Sequence, residues 1–234
     1  MEFEAKHLAA FTASLSQRLP VWVGQSPRAW GQHVLQQEHA ALNLPAVRLS
    51  REDLFRMAQS GEYDSLSFAV SVLAWGGMNR QHGRFLFANT TNWLPIVDQL
   101  RSGRIESSAA YEAFYNLRFD GRLPGMGPAF FTKLIFFSHP RHNGFIMDQW
   151  TARSVNLLSQ HEVVATTLTN NRNGRIQHRV ADQNTANTYA EFNDFILGLA
   201  KAIGYVGRED KVEEALFSTG RGTGAWRNYV IKHG

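Results

Sequence analysis

Residues 123–128 read Leu-Pro-Gly-Met-Gly-Pro, and an aspartate, Asp148, follows Gly127 by 21 residues. This run has the composition of a tight hairpin opening into an apolar helix over 129–137. Glycine has no Cβ, so its amide can come close to a phosphate, and amides at a helix N-terminus attract anions. Gly125, Met126, Gly127 and Pro128 are therefore candidate contacts to a nucleic-acid backbone, holding one phosphate without reading a base. A carboxylate at a fixed separation from such an anchor is what an enzyme needs to act on a deoxyribose. Asp148 has the right residue type, which is also that of a plain helix N-cap. Taken alone, the glycine run is equally an ordinary turn between helices.

The elements that must position these residues are mostly helical. Apolar spacing predicts helices over 3–18, 27–43, from Arg51 onward, 63–75, 85–102 and 107–117. Ser26 before Pro27 and the Ser50-Arg51-Glu52-Asp53 start are helix N-terminal signals. Residues 162–169 are rich in β-branched side chains, and Asn173-Gly174 precedes a second alternating run over 175–180, which predicts a β-hairpin. Asn184 or Thr185 caps a helix to about Ile203, and helices over 208–218 and 225–232 follow. The class is mostly α with a β-hairpin insertion near 162–180.

The chain has 234 residues, of which 44% are hydrophobic, enough for a single domain of two helical lobes over 1–234. It has no cysteine, which excludes disulfides, thiolate zinc sites and iron–sulfur clusters and fits a cytoplasmic protein. No apolar run approaches the ~20 residues of a membrane span. The start, Met1-Glu2-Phe3-Glu4-Ala5-Lys6, does not have the pattern of a signal peptide. The net charge of +4 is compatible with a polyanionic partner. The cations are mostly arginine, whose planar fork suits phosphate, and lysine occurs only at 6, 133, 201, 211 and 232.

The order of hairpin glycines, small apolar helix and then Gly144-Phe145-Ile146-Met147-Asp148-Gln149-Trp150 resembles the helix-hairpin-helix superfamily of DNA glycosylases. The likeness is greatest to the bacterial oxoguanine-glycosylase-like branch. The helix-hairpin-helix motif spans about 111–148, the wider likeness runs from 111 to 158, and outside it only a succession of helices is shared. The resemblance implies a DNA glycosylase-like helical fold. It implies that Gly125 and Gly127 hold a phosphate beside the target nucleotide, with a monovalent cation possible at their carbonyls, no required cofactor and no catalytic metal. Asp148 becomes the catalytic carboxylate. The partner is double-stranded DNA, not a membrane, and nothing demands more than a monomer.

One departure changes the expected chemistry. The branch of the superfamily that also cuts the strand carries a lysine two residues after the second hairpin glycine, where this chain has Ala129. Without that amine the expectation is a monofunctional enzyme: water attacks and an abasic site remains. Lys133, one helical turn on, is a candidate displaced nucleophile or a lysine facing phosphate.

Further candidates surround this frame. Asn79 and Arg80 end an apolar helix in a polar loop and are candidates to fill the gap left by an extruded base. His142, in the turn 139–143, is a candidate phosphate contact. Phe145, Trp150 and Trp226 are candidate walls of a base pocket, against the ordinary reading of aromatics as core. The hairpin, with Arg172, Arg175, His178 and Arg179, is either a DNA-facing surface or a solubilising edge. The resemblance leads to base excision in one of two roles. One is anti-phage defence, in which part of the branch removes hypermodified cytosine. The other is repair of oxidised or alkylated bases. A non-catalytic DNA-binding protein on the same hairpin, and a helical protein with a coincidental turn, are the competing readings.

Overall fold

The computed structural model describes residues 2–17, 20–35, 43–141, 143–170, 174, 176–217 and 224–234. Among them are α1 (Ala5–Ser14), α2 (Pro27–Val34), α3 (Arg51–Ser60), α4 (Ser65–Trp75), α5 (Arg80–Phe87), α6 (Leu94–Arg101), α7 (Ser107–Phe119), α8 (Pro128–Ser138) and α9 (Gln149–Leu158). Strands β1 (Thr166–Asn170) and β2 (Ile176–Val180) precede α10 (Ala186–Ala202), α11 (Glu209–Phe217) and α12 (Ala225–His233). The chain divides into two compact units, Trp22–Gly144 and Met1–Val21 with Phe145–Gly234. No described helix is long and apolar enough to cross a membrane.

In the Trp22–Gly144 unit, α4 buries Phe68, Ala69, Val70, Val72, Leu73, Ala74 and Trp75. A helix apolar on every side needs neighbours on every side, and α2, α3, α6 and α8 supply them. The second such helix, α8, packs against α3, α4, α6 and α7. The expected start at Ser50 forms a capping box: its hydroxyl accepts from Asp53 N while Ser50 N donates to the Asp53 carboxylate at 2.8 Å. The expected helix 85–102 is instead two helices, α5 and α6. Asn89 Oδ1 accepts from Thr91 N and Oγ1, a local alternative to the helical ladder. Pro95 has no N–H to donate backward and takes a place in the first turn of a new helix.

In the other unit, α9 is the centre, packed by α1, α10, α11, α12 and β2. Trp226 Nε1 donates to Ser154 Oγ at 2.9 Å, and that hydroxyl donates to Leu216 O at 2.9 Å, joining α12, α9 and α11. The expected hairpin forms, with Thr166 opposite Val180 and Asn170 opposite Ile176. Gly174 has φ +71°, as the expected turn requires; Arg172, Asn173 and Arg175 lie outside the described residues. Thr185 caps α10. Asn184 does a different job. Its Oδ1 accepts from Ala165 N, and its Nδ2 donates to Ala165 O and Ala181 O, all at 2.8–2.9 Å, closing the base of the hairpin.

Asn184 is buried. Asn184→Ala leaves backbone groups at 165 and 181 without these partners, and we expect it to destabilise the protein by about 2 kcal/mol, read from the urea midpoint.

Candidate active site

Asp148 is the N-cap of α9, and it is held firmly. Its Oδ1 accepts from Trp150 N at 2.8 Å and Thr151 N at 3.2 Å. Asp148 N donates to Thr151 Oγ1 at 2.9 Å, completing a reciprocal capping box, and the same hydroxyl donates to Ile146 O at 2.8 Å. Asp148 is 7% exposed. The arrangement fixes a carboxylate in one orientation at the mouth of a helix, a placement that suits charge stabilisation or water activation.

Around the first turn of α9 stand residues that no local sequence pattern groups. The Arg227 guanidinium lies 4.0 Å from the Trp150 ring centroid, and Arg153 lies 5.2 Å from it. Trp150 therefore serves arginines rather than offering a free stacking face at those positions. The Gln149 amide, oriented to satisfy both its ends, donates to His178 O at 2.7 Å and accepts from Trp150 Nε1 at 3.2 Å. Burial, and then the Arg153 charge, lower the His178 pKa from its usual 6.5.

The hairpin lies in the other unit, where it has close neighbours. Leu123 and Met126 are fully buried and anchor it. Gly125 has φ +75°, and a Cβ there would stand 2.8 Å from His82 Cβ and 2.9 Å from His82 Cα. The turn thus packs against the backbone of α5, so the Asn79–Arg80 loop and the hairpin are adjacent. Asn79 caps α5, accepting from Gln81 N at 2.8 Å, and both Asn79 and Arg80 are exposed. No side-chain cap bond forms at Gly127, and because Pro128 has no N–H and Phe130 N donates to Gly127 O at 2.9 Å, the first turn has the Ala129 amide to offer an anion.

Lys133 is buried, 5% exposed. Its stem passes Gly76, where a Cβ would sit 2.8 Å from Lys133 Cδ. Helical side chains lean toward the N-terminus, and Nζ reaches back to donate to Ala129 O at 2.6 Å. The amine of residue 133 is thereby delivered to the level of residue 129.

Other candidates are placed as follows. Glu106 bonds the Arg141 guanidinium, accepts from Asn143 Nδ2 at 3.1 Å and stands 3.6 Å from His139 Nε2, so one carboxylate organises the turn after α8. His142 lies outside the described residues. Phe145 is a core residue, 2% exposed, with its amide on Asn193 and its carbonyl on Tyr189. Trp226 borders a cavity of about 310 Å³ with Gln17, Tyr205, Arg208 and Lys211, which Asp148 does not line. Two arrays, Glu106 with His139, Arg141 and Asn143, and Arg227 with Trp150, join residues far apart in the chain and leave no local pattern in the sequence.

No group of three or more metal-binding side chains occurs among the described residues. The Gly127 carbonyl accepts from Phe130 N at 2.9 Å and Phe131 N at 3.1 Å, which takes both its lone pairs. That carbonyl does not fit a bridging cation.

A model of the family described as "Putative 8-oxoguanine DNA glycosylase OGG-like protein" matches residues 14–217. Comparison with curated proteins and with solved structures finds no match.

Two expectations follow from the geometry. Gly125→Ala meets both a positive φ and the His82 backbone, whereas Gly121, at φ +69°, has nothing within 4 Å. Gly125→Ala is expected to destabilise by at least ~1 kcal/mol more than Gly121→Ala in denaturant unfolding. For His178, the unfolded chain takes up a proton at higher pH than the folded one. Its contribution is complete above pH 6.5 and is lost as pH falls from 6.5 toward the lower folded value. His178→Gln should flatten stability against pH in that window, measured by thermal unfolding.

Proposed function

We propose that this chain, which belongs to the OGG-like family that its residues 14–217 match, is a base-excision DNA glycosylase whose catalytic carboxylate is Asp148. The observation that carries the reading is the doubly bonded Asp148 cap, 21 residues along the chain from Gly127 of the glycine hairpin. The glycine hairpin and the Ala129 amide at the start of α8 take a backbone phosphate. Arg80, exposed at the start of α5 beside the hairpin, takes the space vacated by an extruded base. Asp148 stabilises positive charge developing on the sugar and directs a water to C1′. The C1′–N bond breaks with its electron pair on the base, the water oxygen bonds to C1′, and the proton that water loses passes to the carboxylate and from it, through solvent, to the departing base. An abasic site is left. The family description makes oxidised guanine the first substrate to test; modified cytosine of phage DNA and alkylated bases are the next.

A second reading is favoured by one observation, the return of Lys133 Nζ to Ala129. An amine there could replace water as the nucleophile. It would form a Schiff base with C1′ and lead to strand scission. The hydrolytic reading takes precedence because this amine is engaged with a backbone carbonyl.

The test is base release from duplexes carrying each modification. Wild type should release one of them, leaving strands that break only after alkali, and Asp148→Asn should slow release about 10²–10⁴-fold with duplex binding kept. A borohydride-trapped complex lost in Lys133→Met would assign strand-cleaving chemistry to Lys133. No release from any substrate, with salt-sensitive binding intact, would replace the enzyme with a DNA-binding protein.

A further inference from the structure

The β1–β2 hairpin is buried at its base and carries exposed side chains farther along both strands. At its base, Val180 is buried and Asn184 ties residues 165 and 181. Its middle leans on α9: the His178 carbonyl meets Gln149, and the His178 ring lies within the field of Arg153. Cross-strand partners share a face, so Leu168 lies on the face of His178, and Ile176 lies two residues further out on that same face. Leu168 is 64% exposed and Ile176 is 68% exposed. On the opposite face Arg179 is exposed beside Thr167. Residues 163–181 contain Arg172, Arg175, Arg179 and His178 and no acidic residue.

An exposed apolar pair on a ribbon that carries the exposed Arg179 on its other face, in a segment with no acidic residue of its own, fits a partner that is both polyanionic and apolar within. Duplex DNA is such a partner: phosphates line its outside, and sugars and base edges form the floor of its minor groove. The ribbon also leans on the helix that Asp148 caps, so it stands beside the proposed catalytic group. We propose that this hairpin is a DNA wedge, with Leu168 and Ile176 packed into the minor groove flanking the target nucleotide and Arg179 on the backbone phosphate. The proposal rests on the glycosylase reading for the place of contact.

The experiment measures affinity of the full chain for a fluorescent duplex as a function of salt, by anisotropy, with no modified base needed. Leu168→Thr/Ile176→Thr keeps β-propensity and changes only exposed positions. It should weaken duplex binding about tenfold with an unchanged salt slope, as loss of apolar contact requires. Arg179→Ala should weaken binding and reduce the log–log salt slope by about one, as loss of one phosphate contact requires. Circular dichroism and thermal unfolding like the wild type establish that the variants are folded. Wild-type affinity in both variants overturns the proposal. So does a wild-type dimer, seen by sedimentation, that the double variant dissolves, because the apolar pair would then belong to a second copy of this chain. A failure of the glycosylase reading has a different signature: absent base release in the wild type, with the affinity changes still present.

Discussion

Everything in the Trp22–Gly144 unit that bears on the site depends on burying α8 from all sides. Nine of its eleven residues are buried. At about 25 cal/mol per Å² of apolar surface, a helix carrying Phe131, Leu134, Ile135, Phe136 and Phe137 gains most when nothing is left exposed. That demand draws α3, α4, α6 and α7 around it. It also fixes the two ends of α8, which have no freedom to drift once the middle is enclosed. The N-terminal end carries the hairpin. The C-terminal end leads into the turn that Glu106 organises.

Within that enclosure Lys133 is anomalous, since an ammonium among phenylalanines loses its hydration. The fold answers with room, a ring and an acceptor: the Phe130 ring centroid lies 5.6 Å from Lys133 Nζ. Gly76 leaves room for the stem, and Ala129 O receives the amine. Replacing Lys133 with an apolar residue of similar length would satisfy α8 at least as well by packing alone. A buried cation in this place is compatible with a role at the hairpin.

The opening residues were legible because their signals are local. Ser50 with Asp53, Asp148 at the mouth of its helix, and the β-branched run with a turn glycine at 174 all act within a few residues of themselves. The break between α5 and α6 was also local, but weaker. The Asn89–Thr91 bonds and Pro95 were outvoted by the apolar pattern over 85–102. The Glu106 array, the Arg227–Trp150 contact and the approach of His82 to Gly125 were not legible, because each joins residues that only the tertiary fold brings together. Phe145 illustrates the same limit from the other side. Aromatic type suggests a pocket wall as readily as core, and only burial separates the two.

Asp148 draws these strands together, because one side chain serves two purposes. As an N-cap it stabilises α9 by about 1 kcal/mol, the usual worth of such a residue, and α9 is the element on which α1, α10, α11, α12 and β2 all pack. As a catalytic group it must present a carboxylate in a fixed orientation. The two demands agree. The amides of Trp150 and Thr151 that make Asp148 a good cap also hold its Oδ1 still, and Thr151 Oγ1 fixes the backbone beneath it through Asp148 N and Ile146 O. An asparagine keeps an oxygen for the same two amides but carries no charge. The structural role therefore tolerates a substitution that the chemical role does not, and the two can be separated at a single atom.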